Sequence, residues 1–521
     1  MKPAAKTRLL CIAGGFALLS QSVCGEVKFA PPFGDGMVLQ RGMPVAVWGR
    51  AEAGEEISVS FAGKTVKLVA DAGGAWKGRL PAMEASSAPR TLVAKGAGGS
   101  HEIRDVLVGE VWLVGGQSNA ECPFWQEKGP RYRDLKGGMM AQFYRMPLVR
   151  LTDRPGVWRE CVPSNLVDVT LDATKRSTSF SAMGVYFAAQ LHQAIGLPVG
   201  MIGEYVRGSG IDTWIPREGY VMQGGFEDML EWKRIPQKEW NKTCIKYPIV
   251  RCGEQPSVYW EGLMSRWTPY TFRGVLWNQG CSNKEDPRYC DKLHALYSGW
   301  SRLFENPGMS FYLVETGHGD GTSFGIQLQQ ARFVAEESHA ALAAANDVGN
   351  ARDVHGNDKE MIARRLLLHA LRRDYGFNDV KSDPPAMKSA RADGDSVVVS
   401  VDHARTLYVY NRDRSLTADF ELADEDGKWH PAEIANFTKT AWSMEGYIAS
   451  SEIVLKAKGV GKPTRVRYLH GKRANSNVYS EVCLPLLAFE AALTGRDAPS
   501  FASSTIAGMH NDTHRLRKDC P

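Results

Sequence analysis

The chain has 521 residues, of which 43% are hydrophobic, with a formal net charge of +5 and a mean hydropathy of −0.29. This length suggests about three domains of roughly 150 residues each; the composition supports globular cores and argues against an integral membrane protein. The charge is small for the size and no basic block tracks a phosphate backbone, so nucleic acid is not an expected partner.

In chain order, the first segment reads as a secretory signal over residues 1–25. Lys2, Lys6 and Arg8 form its positive region, and Leu9 to Leu19 is an apolar stretch too short to span a bilayer comfortably. Cleavage near Gly25 fits the small-residue rule, and a lipid anchor at Cys24 is the competing outcome. The expected location is secreted or periplasmic, with no membrane span. Of ten cysteines, Cys11 and Cys24 lie in this segment, leaving eight. An even count in an exported chain permits disulfides without fixing connectivity; the short loops suggest Cys244–Cys252 and Cys281–Cys290. No CxxC pairs with histidine at zinc spacing, so neither metal nor cofactor is expected.

Residues 26–105 alternate apolar and polar between turn signals such as Ala72-Gly73-Gly74, and strand-like runs occur at Val45–Trp48, Ile57–Phe61 and Thr65–Val69. This predicts a small β domain. Residues 106–382 mix strands with helices and predict an α/β domain with a parallel sheet. Its first strand, Val106 to Gly115, is apolar on both faces, as in the middle of such a sheet. A helix is expected from Ser181 to Ile195 with Gly196 as its stop. Further strands are expected at Val199–Val206, Gly274–Gly280, Ser310–Glu315 and Ala341–Ala345, with a helix over Gln327–His339 and another beginning near Asp358. Residues 383–490 return to β signals, at Ser396–Val401, Leu407–Tyr410 and Arg465–Tyr468. A boundary is placed at Asp383-Pro384-Pro385, and residues 491–521 are expected to form a loosely held tail.

The chemistry concentrates after the Val106–Gly115 strand, at Gly116-Gln117-Ser118-Asn119. Parallel sheets place their sites at the carboxyl ends of strands. A serine on a glycine turn there exposes its hydroxyl and offers its backbone N–H to a substrate oxygen. A serine nucleophile needs a base, and the base an orienting carboxylate. Asp353-Val354-His355 supplies both. Ser118 is the candidate nucleophile and His355 the general base and acid, since imidazole titrates near neutral pH. Asp353 is the candidate orienting carboxylate; Asp347, at the end of a strand, is its competitor and fits better as an organiser of the loop.

GEVWLVGGQSN, GVLWNQGCSN and DVHGNDK closely resemble blocks of the sialate O-acetylesterase family, within the SGNH (GDSL-like) hydrolase superfamily. Phe33 to Arg41, Pro44 to Gly49, Val466-Arg467-Tyr468, Ala474-Asn475 and Leu484-Pro485-Leu486 extend the resemblance over residues 27 to 490, in the family's order. It implies a three-layer α/β/α catalytic domain of SGNH type, flanked by amino-terminal and carboxy-terminal β domains. It also implies a serine esterase that removes O-acetyl groups from a glycan, with O-acetylated sialic acid as first substrate. A xylan or other polysaccharide acetylesterase is the alternative, and a non-catalytic carbohydrate-binding protein on the same scaffold is an alternative of another class. The oxyanion donors implied are the backbone N–H groups of Ser118 and Gly208 and the side-chain amide of Gln279. Arg207, Trp214 and Asn278 are candidate substrate contacts. Arg207 can equally point to solvent, Asn119 and Asn278 can be turn-formers, and Trp125, Trp214 and Trp277 can stack on sugar or pack in the core, the core being favoured for Trp277. The chain departs from the family at Arg207, Ala120 and Cys281, where glycine, methionine and glutamate are usual.

Overall fold

The computed structural model describes residues 26–123, 145–153, 155–166, 180–232, 255–317, 324–348, 355–356, 358–410, 419–439, 446–470 and 476–493. Residues 1–25, expected to be a signal, Cys244, Cys252, Trp125, Asp353, Ala474, Asn475 and residues 494–521 lie outside them.

The central sheet is built on one long strand, β1 (Gly99–Gly116). It continues with β2 (Met146–Thr152), β3 (Arg159–Cys161), β4 (Val199–Tyr205), β5 (Gly274–Asn278), β6 (Ser310–Val314) and β7 (Ala340–Ala343). Their order is β3-β2-β4-β1-β5-β6-β7. All neighbours run parallel except the β3 edge, which is antiparallel to β2. The chain adds β4 on one side of β1 and then β5 on the other. The end of β1 is thus the point where the winding reverses, and there a crevice opens at the carboxyl ends of the strands.

Val106 through Gly116 are all buried, as an inner strand covered on both faces requires. The side chains divide by the strand's two-residue period. Trp112 and Val114 join one core with α1 (Ala182–Ile195) and α4 (Lys359–Asp374). Val111 and Leu113 join the opposite core with α2 (Tyr289–Leu303) and α3 (Phe324–Glu336). Helices therefore cover both faces of the parallel sheet. Each fully buried aliphatic or aromatic side chain contributes about 1.5–3 kcal/mol.

The helix ends follow their local chemistry. The Ser181 hydroxyl accepts the Gly184 N–H at α1's start, and Gly196 closes it with φ 70°. Asp358 caps α4 by accepting the Met361 N–H at 2.9 Å.

The amino-terminal half of β1 belongs to the preceding β region. Val38–Gln40 pairs parallel with it, and Ser86–Gly96 pairs antiparallel. The strand passes from one region to the other at Gly109 and Glu110, where pairing to Gln40 gives way to pairing with β4; upstream, Asp105 takes a φ of 55° and its carboxylate accepts Arg150 Nη1 at 2.6 Å. After α4, strands from Ala386 to Ala492 form a seven-stranded and a four-stranded sheet around a core of their own. Among the described residues, no helix is long and apolar enough to cross a membrane.

One expected bridge is not formed. Cys290 is a free, buried thiol whose Sγ lies 3.8 Å from Glu336 Oε2. It opens α2 and faces α3 rather than the loop carrying Cys281, so the short loop between the two cysteines was misleading.

Candidate active site

The turn that follows β1 is shaped by Gly116. Its φ is 130°, and a Cβ there would overlap the Asn278 carbonyl of β5. Only glycine combines this conformation with this approach. The Gln117 N–H then donates to the Asn278 carbonyl at 3.1 Å, and Gln117 Oε1 accepts the N–H groups of Gly280 and Ser282, each at 3.2 Å. Ser118 opens the short helix Ser118–Glu121, so its own N–H stays outside the intrahelical ladder. Its side chain is half-buried at the crevice.

Across the crevice, His355 Nε2 lies 3.0 Å from Ser118 Oγ. His355 stands three residues ahead of the Asp358 cap, so α4 holds it on a short tether. Its expected orienting partner, Asp353, falls outside the described residues. Asp347 is committed elsewhere. Its two oxygens accept Arg365 Nη1 and Nη2 at 2.6 and 2.7 Å, both residues being buried. This bidentate pair fastens the loop after β7 to α4, the organising role expected of it.

The loop after β4 forms the facing wall. The Ser209 N–H closes a turn onto the Val206 carbonyl at 3.2 Å, and Gly208 takes φ 74° at its corner. The turn is tied to the Gly116 carbonyl by the Val206 N–H at 3.0 Å and the Ser209 hydroxyl at 3.4 Å. Gly208 is thus anchored to a residue two positions before Ser118. Arg207 is half-exposed, and its Nε donates to Glu121 Oε1 at 2.8 Å, bridging this turn to the serine's helix.

Two expectations change. Gln279 Nε2 donates to the Ser209 carbonyl at 3.1 Å and to Asn283 Oδ1 at 2.7 Å. Both amide hydrogens are used inside the protein, so in this structure the side chain braces the Gly208 turn. Trp214 is fully buried. Its Nε1 donates to Ser209 Oγ at 3.0 Å, and its ring packs edge-on against Trp277, centroids 6.0 Å apart. It supports the same turn from behind and presents no face to a sugar. Trp277 is core as expected. Asn278 is buried and its Nδ2 faces Met183 Sδ at 3.8 Å.

Several polar groups that sequence reading did not single out lie beneath the site. Lys359 is buried, and its Nζ donates to Asn119 Oδ1 at 2.7 Å. With Asn278, Glu315, Val314 and Ile362, these two residues line a small recess beside the His355 loop. Glu315 accepts the backbone N–H groups of Ala345 and Asn346; burial nonetheless pushes its carboxyl up to about 7. Under the Gly208 turn, buried Lys292 bridges Asp212 at 2.9 Å and Asp286 at 2.7 Å, and the two carboxylates raise its pKa against the opposing effect of burial. The sequence signal was a polar residue in an otherwise apolar helix face or strand end, which spacing alone does not distinguish from a solvent contact.

No family model matches the chain. Curated relatives do. The rat sialate O-acetylesterase is 23% identical over 79% of this chain and 85% of its own length, and the mouse sialate O-acetylesterase is 22% identical over 81% and 87%. Among solved structures, a carbohydrate acetylesterase from Xanthomonas citri superposes with a TM-score of 0.71 at 25% identity, covering 89% of this chain and 99% of that one. The chain is thus similar over most of its length to sialate O-acetylesterases and to a carbohydrate acetylesterase. Its reaction class is accordingly carboxylic ester hydrolysis.

Proposed function

We propose that the protein removes O-acetyl groups from a carbohydrate, with Ser118 as nucleophile and His355 as base and acid. The observation that carries this reading is the 3.0 Å contact between His355 Nε2 and Ser118 Oγ at the end of β1. Neutral His355 takes the hydroxyl proton as Ser118 Oγ attacks the acetyl carbonyl carbon. The carbonyl oxygen becomes an oxyanion, held by the backbone N–H groups of Ser118 and Gly208. Collapse breaks the bond to the sugar oxygen, which leaves with the proton from His355. Water, deprotonated by the same imidazole, then releases acetate and restores the serine. Asp353 holds the imidazole in the tautomer this cycle needs.

O-acetylated sialic acid is the first substrate, on the strength of the relatives' names. Arg207 at the mouth is the side chain placed to meet such a substrate, if it exchanges its Glu121 partner for it. Hydrolysis of p-nitrophenyl acetate tests the reaction, and relative kcat/KM on O-acetylated sialic acid and acetylated xylan tests the substrate. Faster turnover of xylan would overturn the sialate assignment while keeping the mechanism. Absence of turnover on every ester would favour carbohydrate binding without catalysis.

A further inference from the structure

We infer that Cys290, His294 and Glu336 form a binding site for a divalent cation of zinc's type, outside the Ser118 crevice and independent of the esterase reading. Cys290 and His294 stand four residues apart on α2 and so share one face. Glu336 ends α3, packed alongside. The three ligand atoms lie within 4.8 Å of one another. Cys290 Sγ is 3.8 Å and His294 Nε2 is 3.0 Å from Glu336 Oε2. Tetrahedral zinc, with bonds of about 2.3 Å to sulfur and about 2.0–2.1 Å to nitrogen and oxygen, separates its ligand atoms by roughly 3.3–3.5 Å. The two spans to Glu336 Oε2 bracket that separation, and the Cys290–His294 span, within 4.8 Å, closes by rotation of the partly exposed histidine and glutamate side chains.

The surroundings orient all three groups, as ligand sites require. Arg332 Nε binds Glu336 Oε1 at 2.7 Å, which turns Oε2 toward the cysteine and histidine. The Phe333 ring holds His294 edge-on, centroids 4.8 Å apart. The Cys290 N–H donates to Gln329 Oε1 at 2.9 Å. Exposure is graded: the cysteine is buried, the histidine side chain is 21% exposed and the glutamate 36%. The open side leaves a fourth position for water. A dication with one thiolate and one carboxylate is neutral overall, which limits repulsion from Arg332. A thiolate with an imidazole and a carboxylate suits zinc better than magnesium or calcium, which prefer oxygen ligands alone. The bound ion would clamp α2 to α3. Binding releases the Cys290 proton to solvent as the metal–sulfur bond forms.

The test uses full-length protein stripped with EDTA, desalted and titrated with cobalt(II) and zinc(II), each variant first shown folded by circular dichroism. One cobalt per chain is expected, with a thiolate-to-cobalt charge-transfer band in the near ultraviolet that is lost in Cys290→Ser. Zinc affinity should fall in His294→Asn and Glu336→Gln by more than the roughly 10- to 100-fold that loss of an outer-shell partner costs. Glu336→Gln alters a surface carboxylate and keeps the fold testable should Cys290→Ser be unstable. Lack of a charge-transfer band in the wild type, its survival in Cys290→Ser, or unchanged zinc affinity in His294→Asn and Glu336→Gln would each overturn the site. Those outcomes would leave an ordinary Arg332–Glu336–His294 surface network over a core thiol.

Discussion

His355 Nε2 stands 3.0 Å from Ser118 Oγ, although 237 residues separate them in the chain. The contact is made by two anchored ends. Gly116 and Gln117 fasten the serine turn to β5 and the loop beyond it, and the Asp358 cap sets where α4 begins. Because each end is held by backbone geometry, the pair is positioned before substrate arrives, which is how a site lowers the entropy cost of its chemical step.

Ser118→Ala should abolish ester turnover and leave the fold intact. The substitution removes only the hydroxyl, and what remains is the binding and oxyanion contribution. Steady-state hydrolysis of p-nitrophenyl acetate, with a melting curve as control, measures this. Rates near those of wild type would move the nucleophile elsewhere.

Gly116→Ala should damage both activity and stability. A φ of 130° strains any L side chain by about 1–3 kcal/mol, and the new methyl would press on the Asn278 carbonyl. The readouts are the melting temperature and kcat together. A silent substitution would show that the turn can relax without disturbing Ser118.

Gln279→Ala should lower kcat through the Gly208 turn. It removes two donated hydrogen bonds, to the Ser209 carbonyl and Asn283 Oδ1, and leaves those buried acceptors short of a donor, a loss of about 1–3 kcal/mol. A direct oxyanion donor would instead cost about a hundredfold or more in kcat without loss of stability. Melting temperature separates the two: a lowered value assigns Gln279 to positioning, and an unchanged value with a crippled kcat restores it to the oxyanion.

Asp347→Asn should destabilise the protein, and Asp353→Asn should cripple turnover. The first weakens a buried bidentate pair with Arg365 by removing one charge and leaving the other, a loss on the order of several kcal/mol. On the proposed mechanism, the second would take from the imidazole the acceptor that fixes its tautomer. If Asp347→Asn proved catalytically crippled yet fully stable, and Asp353→Asn almost silent, the roles would be exchanged.

The sheet was legible because its signals are local. An apolar run flanked by glycine, as at Val106–Gly116, specifies a buried strand on its own, and Ser181 with Gly196 marks both ends of α1. Ser118 and His355 sit at element ends, next to turn-forming residues, which is why their positions, though not their 3.0 Å contact, stand out in the sequence. The inward contacts of Gln279 and Trp214 were not legible, for a different reason. An amide or indole beside a site can face the substrate or face inward, and only tertiary packing decides which. The same holds for Lys359 and Glu315, whose burial depends on partners far away in sequence. Cys281 and Cys290 show the limit of loop length as a guide: the bridge depends on which way the thiols point, and Cys290 points to α3.

The last prediction concerns pH and Glu315. Burial raises its carboxyl to about 7 in the folded protein, from an ordinary value of 4.5. Between those values the folded state keeps a proton that the unfolded state has released. Stability therefore falls as pH rises through this window. The contribution is fully present below about 4.5 and is lost above about 7, amounting to roughly 3 kcal/mol at one pKa unit per 1.36 kcal/mol. Buried Glu204, also raised to about 7 with burial as its main cause, acts in the same direction. Glu315→Gln stays neutral at every pH and retains an acceptor for the Ala345 and Asn346 N–H groups. The difference in unfolding free energy, wild type minus variant, should therefore decline between pH 4.5 and pH 7 and level off above it. Denaturant titrations at intervals across that range measure the difference directly. A difference that stayed flat would mean that Glu315 is ionised in the folded state, the Ala345 and Asn346 N–H groups and the Asn346 side-chain amide at 3.4 Å outweighing the cost of burial.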